Sequence, residues 1–125
     1  MSSLAFDSNI VIDALAGFAP ARDIIRDAVA RADAWISRMV WIEVMSKGEE
    51  RGLRDAETLL TSFDIDELDS DIARRAATLR RTRPRLKSPD AIILASAQHH
   101  GRILVTRNTK DFPADMPGVR IPYTV

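Results

Sequence analysis

The 125-residue chain contains no cysteine. That one absence excludes disulfides, zinc–cysteine sites, thiolate-ligated haem and thiol nucleophiles. Histidine is nearly absent too: the adjacent pair His99 and His100 are the only two. A metal site with three histidine ligands is impossible, and a Ser-His-Asp triad would have to draw on this pair. No apolar run approaches the ~18 residues needed to cross a bilayer, so no membrane role is expected. The start, Met1-Ser2-Ser3-Leu4, lacks the basic residues and apolar stretch of a secretion signal. The expected compartment is therefore the cytoplasm. Net charge is lacking as well, since 18 basic residues balance 18 acidic ones. No global field recruits a nucleic acid.

What is present reads as one globular domain over residues 1–125. The hydrophobic fraction is 46% and the charged fraction 29%, a balance that builds a core and rules out a disordered tail. The charges are unevenly placed. Nine acids lie between Glu49 and Asp71, and seven bases follow between Arg74 and Lys87 with no acid among them. Such asymmetry bears on partners rather than on fold.

Leu4-Ala5-Phe6 reads as a short buried strand that presents Asp7 at its end. Ser8 or Asn9 caps a helix carrying Ile10, Val11, Ala14 and Leu15, which Gly17 stops. Pro20 opens a second helix. Ala34-Trp35-Ile36 is a strand, and Ser37 caps a helix expected from Arg38 to about Glu50, broken by Gly52. Leu53 to Ser62 is helical, and Phe63-Asp64-Ile65 is a third strand. Asp69 or Ser70 caps a long helix that stops before Pro84. Ser88-Pro89-Asp90 starts a further helix, with Ser88 as its cap, and its apolar run to Ala97 predicts almost complete burial. Arg102 to Val105 is a fourth strand, and Val119 to Ile121 a short last one. Strands alternating with helices predict an α/β fold, a three-layer sandwich with a short, mostly parallel central sheet flanked by helices. Ligands of such sheets lie beyond the carboxyl ends of the strands.

Four acids occur in apolar or tightly structured settings: Asp7, Glu43, Asp90 and Asp111. Carboxylates are rarely buried without partners. Converging carboxylates repel unless a cation sits among them, and an oxygen-only donor set favours Mg²⁺ or Mn²⁺. Each acid also has a plainer reading. Asp7 fits a helix cap, Asp90 fits first-turn helix chemistry, Glu43 fits an i,i+4 pair with Lys47, and Asp111 fits a turn. Asp13 reads as a surface or capping residue, and His99-His100 as cations suited to a helix end.

Three segments resemble the motifs of PIN-domain ribonucleases, in family order. They are Phe6-Asp7-Ser8-Asn9-Ile10-Val11-Ile12, then Pro89-Asp90-Ala91-Ile92-Ile93-Leu94-Ala95-Ser96-Ala97, then Leu104-Val105-Thr106-Arg107-Asn108-Thr109-Lys110-Asp111-Phe112. Glu43 stands where that family has a helical glutamate. The length without appended domains is similar to VapC-type toxins of bacterial toxin–antitoxin pairs.

The resemblance implies that Asp7, Glu43, Asp90 and Asp111 form a catalytic site holding Mg²⁺ or Mn²⁺. It implies supporting roles for Ser8, Asn9 and Thr106. Asn108 stands where some relatives have an acid, which implies weak holding of a second metal or none. The implied activity is a metal-dependent endoribonuclease acting as the toxin of a type II pair. The implied partners are RNA, a cognate antitoxin and a second copy in a homodimer. Two alternatives stay open: an RNA-processing nuclease outside any toxin system, and a catalytically silent binding protein on the same fold. Arg80, Arg81, Arg107 and Lys110 are the candidates for contact with the RNA backbone. Trp41 and Met45 are the candidates for an apolar dimer contact.

Overall fold

The computed structural model describes residues 3–125; Met1 and Ser2, part of the amino-terminal segment read above, lie outside the described residues. Leu4-Ala5-Phe6 forms strand β1 (Leu4–Phe6), buried along its whole length. Helix α1 (Ser8–Leu15) follows directly, and Gly17 leaves it at φ +91°, a conformation costly for any side chain. Pro20 lies in the first turn of α2 (Ala19–Ala30). Strand β2 (Ala34–Ser37) passes into α3 (Arg38–Lys47), and the Ser37 hydroxyl accepts from the Met39 amide at 3.0 Å. A 3₁₀ turn at Glu50–Gly52 leads to α4 (Leu53–Leu60) and β3 (Asp64–Asp66). Helix α5 (Ser70–Thr82) is capped by Asp69. Then come α6 (Ser88–His99), β4 (Ile103–Val105) and β5 (Val119–Arg120).

Several boundaries differ from the sequence reading, each for a local reason. The cap of α1 is Asp7, not Ser8 or Asn9, because its carboxylate accepts from the Ser8 amide. Helix α3 ends at Lys47, since Gly48 is already extended; it does not run to Glu50. β3 is displaced by one residue, because Phe63 turns into the core and meets Phe6 edge to face at 5.6 Å. Ser88 is the first helical residue of α6 and not its cap, which is Lys87.

The five strands are parallel throughout, in the order β3-β2-β1-β4-β5. β1 is central: Leu4 faces Ala34 on one side and Ile103 on the other. Strands this short hold together through what they bury. Phe6, Ile10, Val11, Ile36, Leu104, Val105 and Phe112 are fully buried in one continuous core. α6 buries Ala91, Ile93, Leu94, Ala95, Ser96 and Ala97, as its apolar run predicts. The chain starts in the middle of the sheet, builds outward through β2 and β3, then returns to the other flank of β1 with β4. Strand order therefore reverses between β1 and β4, and such a switch point opens a crevice at the carboxyl ends of the two strands.

Candidate active site

Asp7 follows β1 and the Thr106 to Asp111 loop follows β4, so both stand at that crevice. Asp7 is buried and its carboxylate is surrounded by donors. The Ser8 amide donates to Oδ1 at 2.7 Å, and the Thr106 hydroxyl donates to Oδ2 at 2.7 Å. Asn9 Nδ2 donates to the same Oδ2 at 3.3 Å. Burial pushes the Asp7 carboxyl up from its ordinary value, and the bonds from Thr106 and Ser8, with the nearby Lys47, pull it partly back. Ser8 has one hydroxyl proton and two acids within reach. Glu43 Oε1 at 3.0 Å is closer than Asp7 Oδ1 at 3.5 Å, so the proton belongs to Glu43.

The loop after β4 is organised around Thr106 and Asn108. The Asn108 amide donates to the Thr106 hydroxyl oxygen at 3.0 Å, and Asn108 Nδ2 donates to Asp111 Oδ2 at 2.9 Å. Asp90, in the first turn of α6, is half-buried across the crevice. Burial pushes its carboxyl up to about 6, and the charges of Asp7, Asp111 and Glu43 push in the same direction. Three acids scattered in sequence thus act electrostatically on Asp90.

Asp7, Glu43 and Asp90 line a cleft of about 680 Å³, and Asp111 is tied to its wall through Asn108. Among the described residues, no group of three or more Asp, Glu or His side chains stands close enough to clasp one metal ion. The acids frame the cleft instead of meeting at a point. Their chemistry still suits a hard divalent cation: all donors are oxygen, and mutual repulsion is the force such a charge relieves.

Four cations share the cleft with the acids: Lys47, Lys87, Arg107 and Lys110. Sequence reasoning singled out the last two. Lys87 precedes Asp90 by three residues and Lys47 follows Glu43 by four, so each lies one helical turn from an acid already chosen; that spacing was the available signal. Among the described residues no ion pair joins Glu43 to Lys47. Arg80 and Arg81 do not line the cleft. Arg80 Nε donates to the Leu86 carbonyl at 3.0 Å, and Arg81 lies along its own helix against Thr78. Asp13 is not a plain surface or capping residue. It is partly buried and receives Arg107 and Tyr123. His100 stands 3.5 Å from Asp66, a residue outside the acidic cleft. A second, more apolar groove of about 720 Å³ runs between α1, α2 and α4 along Leu15, Ile25, Val29 and Leu59. It is slightly larger, but it carries one acid, Asp55, where the cleft gathers three.

The Asp90 environment sets a pH dependence. Its folded value of about 6 lies above the ordinary 3.8, so its charge destabilises the fold above pH 6. That cost fades as pH falls through 6 toward 3.8. Because the group is half-exposed, solvent screening trims the effect, and Asp90→Asn is expected to gain about 1 kcal/mol at about pH 7.5. Urea unfolding should find the two chains equal near the acid end of the range. An equal gain at both ends would mean that ionisation is not its source.

The sequence profile of the PIN domain matches residues 4–114. No curated protein sequence matches at a significant level. Among solved structures, the chain is similar to one in a toxin–antitoxin complex from Klebsiella pneumoniae, at 40% identity and TM-score 0.87, covering 98% of this chain and 100% of that one. It shares its fold with a chain of DNA-bound VapBC from Salmonella typhimurium, at 23% identity and TM-score 0.78 over 97% of each chain. It does so too with a chain of FitAcB from Neisseria gonorrhoeae, at 19% identity and TM-score 0.76, covering 98% and 99%. With the profile spanning β1 to the loop after β4, and a 40% identical relative aligned end to end, the chain belongs to the PIN-domain family.

Proposed function

We propose that this PIN-domain protein is a metal-dependent endoribonuclease and the toxin of a type II toxin–antitoxin pair. The observation that carries the reading is the cleft at the β1–β4 switch point. Acids and bases lining one cleft are what a metal-assisted phosphodiesterase needs. The 40% identity to a chain of a toxin–antitoxin complex supports an antitoxin as partner.

Asp7, Glu43, Asp90 and Asp111 would hold Mg²⁺ or Mn²⁺. Such an ion, when bound, acidifies a water and neutralises charge developing on the phosphodiester. The remaining work falls to the chain. Ser8, Asn9 and Thr106 aim the Asp7 carboxylate by donating to its oxygens, and the bonds from Ser8 and Thr106 partly offset the cost of its burial. Asn108 holds Asp111 in place. Lys47, Lys87, Arg107 and Lys110 offset the repulsion between the acids and the RNA backbone. Arg80 and Arg81 have at most a peripheral share in that attraction, since neither borders the cleft.

A homodimer belongs to the proposal. Trp41 and Met45, the proposed contact, pack partly against the core and stay partly exposed, and the large apolar residues that are exposed are Ile42, Leu68 and Val125, at 47%, 50% and 80%. Among the described residues no helix is long and apolar enough to cross a membrane, and the cytoplasm is the proposed compartment.

The test combines cleavage with a ligand-free readout. Unstructured RNA should be cut with Mn²⁺ or Mg²⁺ and remain intact in EDTA. Mn²⁺ should raise the melting temperature of the native chain and leave Asp7→Asn unmoved. Cleavage that persists in EDTA would sink the metal mechanism. The absence of both cleavage and a melting shift would sink the nuclease.

A further inference from the structure

The loop after β4 is held from behind as well as from within the cleft. Arg107 Nε donates to Asp13 Oδ2 at 2.6 Å, and Arg107 Nη2 donates to Asp13 Oδ1 at 3.1 Å. The Tyr123 hydroxyl donates to the same Oδ2 at 2.8 Å. The Tyr123 ring meets Phe18 edge to face, with centroids 4.9 Å apart. α1, the loop and the carboxy-terminal segment are thereby joined at one carboxylate, whose side chain is 15% exposed. Tyr123 lies beyond the 4–114 segment that the PIN profile matches. The arrangement also reaches Asp7: the Arg107 amide donates to Asn9 Oδ1 at 3.4 Å, and Asn9 Nδ2 donates to Asp7. Arg107 lines the acidic cleft. Among the described residues its Nη1 has no hydrogen-bond partner.

We infer that Asp13 and Tyr123 are positioning residues, which fix the Arg107 guanidinium so that its remaining edge grips a phosphate of RNA in the cleft. The inference rests on the nuclease reading for the identity of the ligand. Its physical basis is prior ordering. An arginine already held by two charge-assisted bonds loses little side-chain freedom when a phosphate arrives. Tyr123 tightens the hold, because its hydroxyl keeps the Asp13 carboxylate in the one orientation that accepts both guanidinium bonds. A lysine at position 107 could not be held this way, since it lacks the planar fork.

A double-mutant cycle tests this. Binding of a single-stranded RNA oligonucleotide is measured in an Asp7→Asn background, where no cleavage intrudes. Arg107→Ala should weaken binding about tenfold, the loss of one charge-assisted contact. Tyr123→Phe keeps the ring against Phe18 and removes only the hydroxyl, so the fold should survive. It should weaken binding about threefold with Arg107 present and not at all with Arg107→Ala. With the native Asp7 and Mn²⁺, Tyr123→Phe should raise KM by a similar factor and leave kcat unchanged. An intact cycle without any cleavage by the native chain would overturn the nuclease reading and keep the positioning role. Cleavage by the native chain, with Tyr123→Phe silent or equally harmful in both backgrounds, would overturn the positioning role and keep the nuclease. Absence of RNA binding would overturn the proposed grip of Arg107.

Discussion

Asp7→Asn is expected to lower RNA cleavage by at least about 100-fold, because metal-assisted charge stabilisation is worth several kcal/mol and each 1.4 kcal/mol is tenfold. The fold should be intact. Asparagine has the same shape, and one of its positions still accepts from the Ser8 amide that the aspartate caps. Burial already disfavours the ionised form of Asp7, so the neutral amide should melt at the same temperature or higher. Single-turnover cleavage and a thermal melt read the two halves separately. Near-native cleavage by this variant would remove Asp7 from the mechanism. Lost cleavage in an unfolded variant would make Asp7 a structural cap and nothing more.

The second large effect lies outside the cleft. Arg102→Ala should cost about 3 kcal/mol, as removing one partner of a buried ion pair strands the other charge. Asp66 is that other charge: its side chain is 3% exposed, and Arg102 Nε and Nη2 each donate to it at 2.8 Å. The guanidinium also lies 3.6 Å from the centre of the Trp35 ring, and Nη1 donates to the Ser3 hydroxyl oxygen at 2.9 Å. A domain of this size has only about 5–15 kcal/mol in hand, so the urea midpoint should drop sharply. Adding Asp66→Asn to Arg102→Ala should recover part of the loss, because no unpaired charge then remains. A cost under about 1 kcal/mol would mean that water reaches Asp66 and the pair is ordinary.

Arg102 also illustrates what a linear reading misses. In the sequence it reads only as the polar first residue of the fourth strand, which the structure starts one residue later at Ile103. Its partner Asp66 is 36 positions away and two strands beyond β1. Asp13 was misread for the same reason. The residues that engage it, Arg107 and Tyr123, are 94 and 110 positions distant, and no helical or strand period connects them.

The signals that were legible act over a few residues. Apolar triplets set β1 and β4, a serine caps α3, an aspartate caps α5, and a glycine ends α1. The unbroken apolar run of α6 required burial on nearly every side. The absence of cysteine and the near absence of histidine left oxygen as the chemistry of any metal site. Asp7, Glu43, Asp90 and Asp111 could be named as candidates because short motifs carry them. Which of them border the cleft, and which bases join them, was set by strand order. Periodicity tells a strand which face to bury, but it does not choose the neighbour beside it. The return of β4 to the flank of β1 brings Thr106 onto Asp7 across 99 residues, opens the crevice, and turns Lys47 and Lys87 toward it. Packing of the whole core selects that return, so no local stretch of sequence contains it.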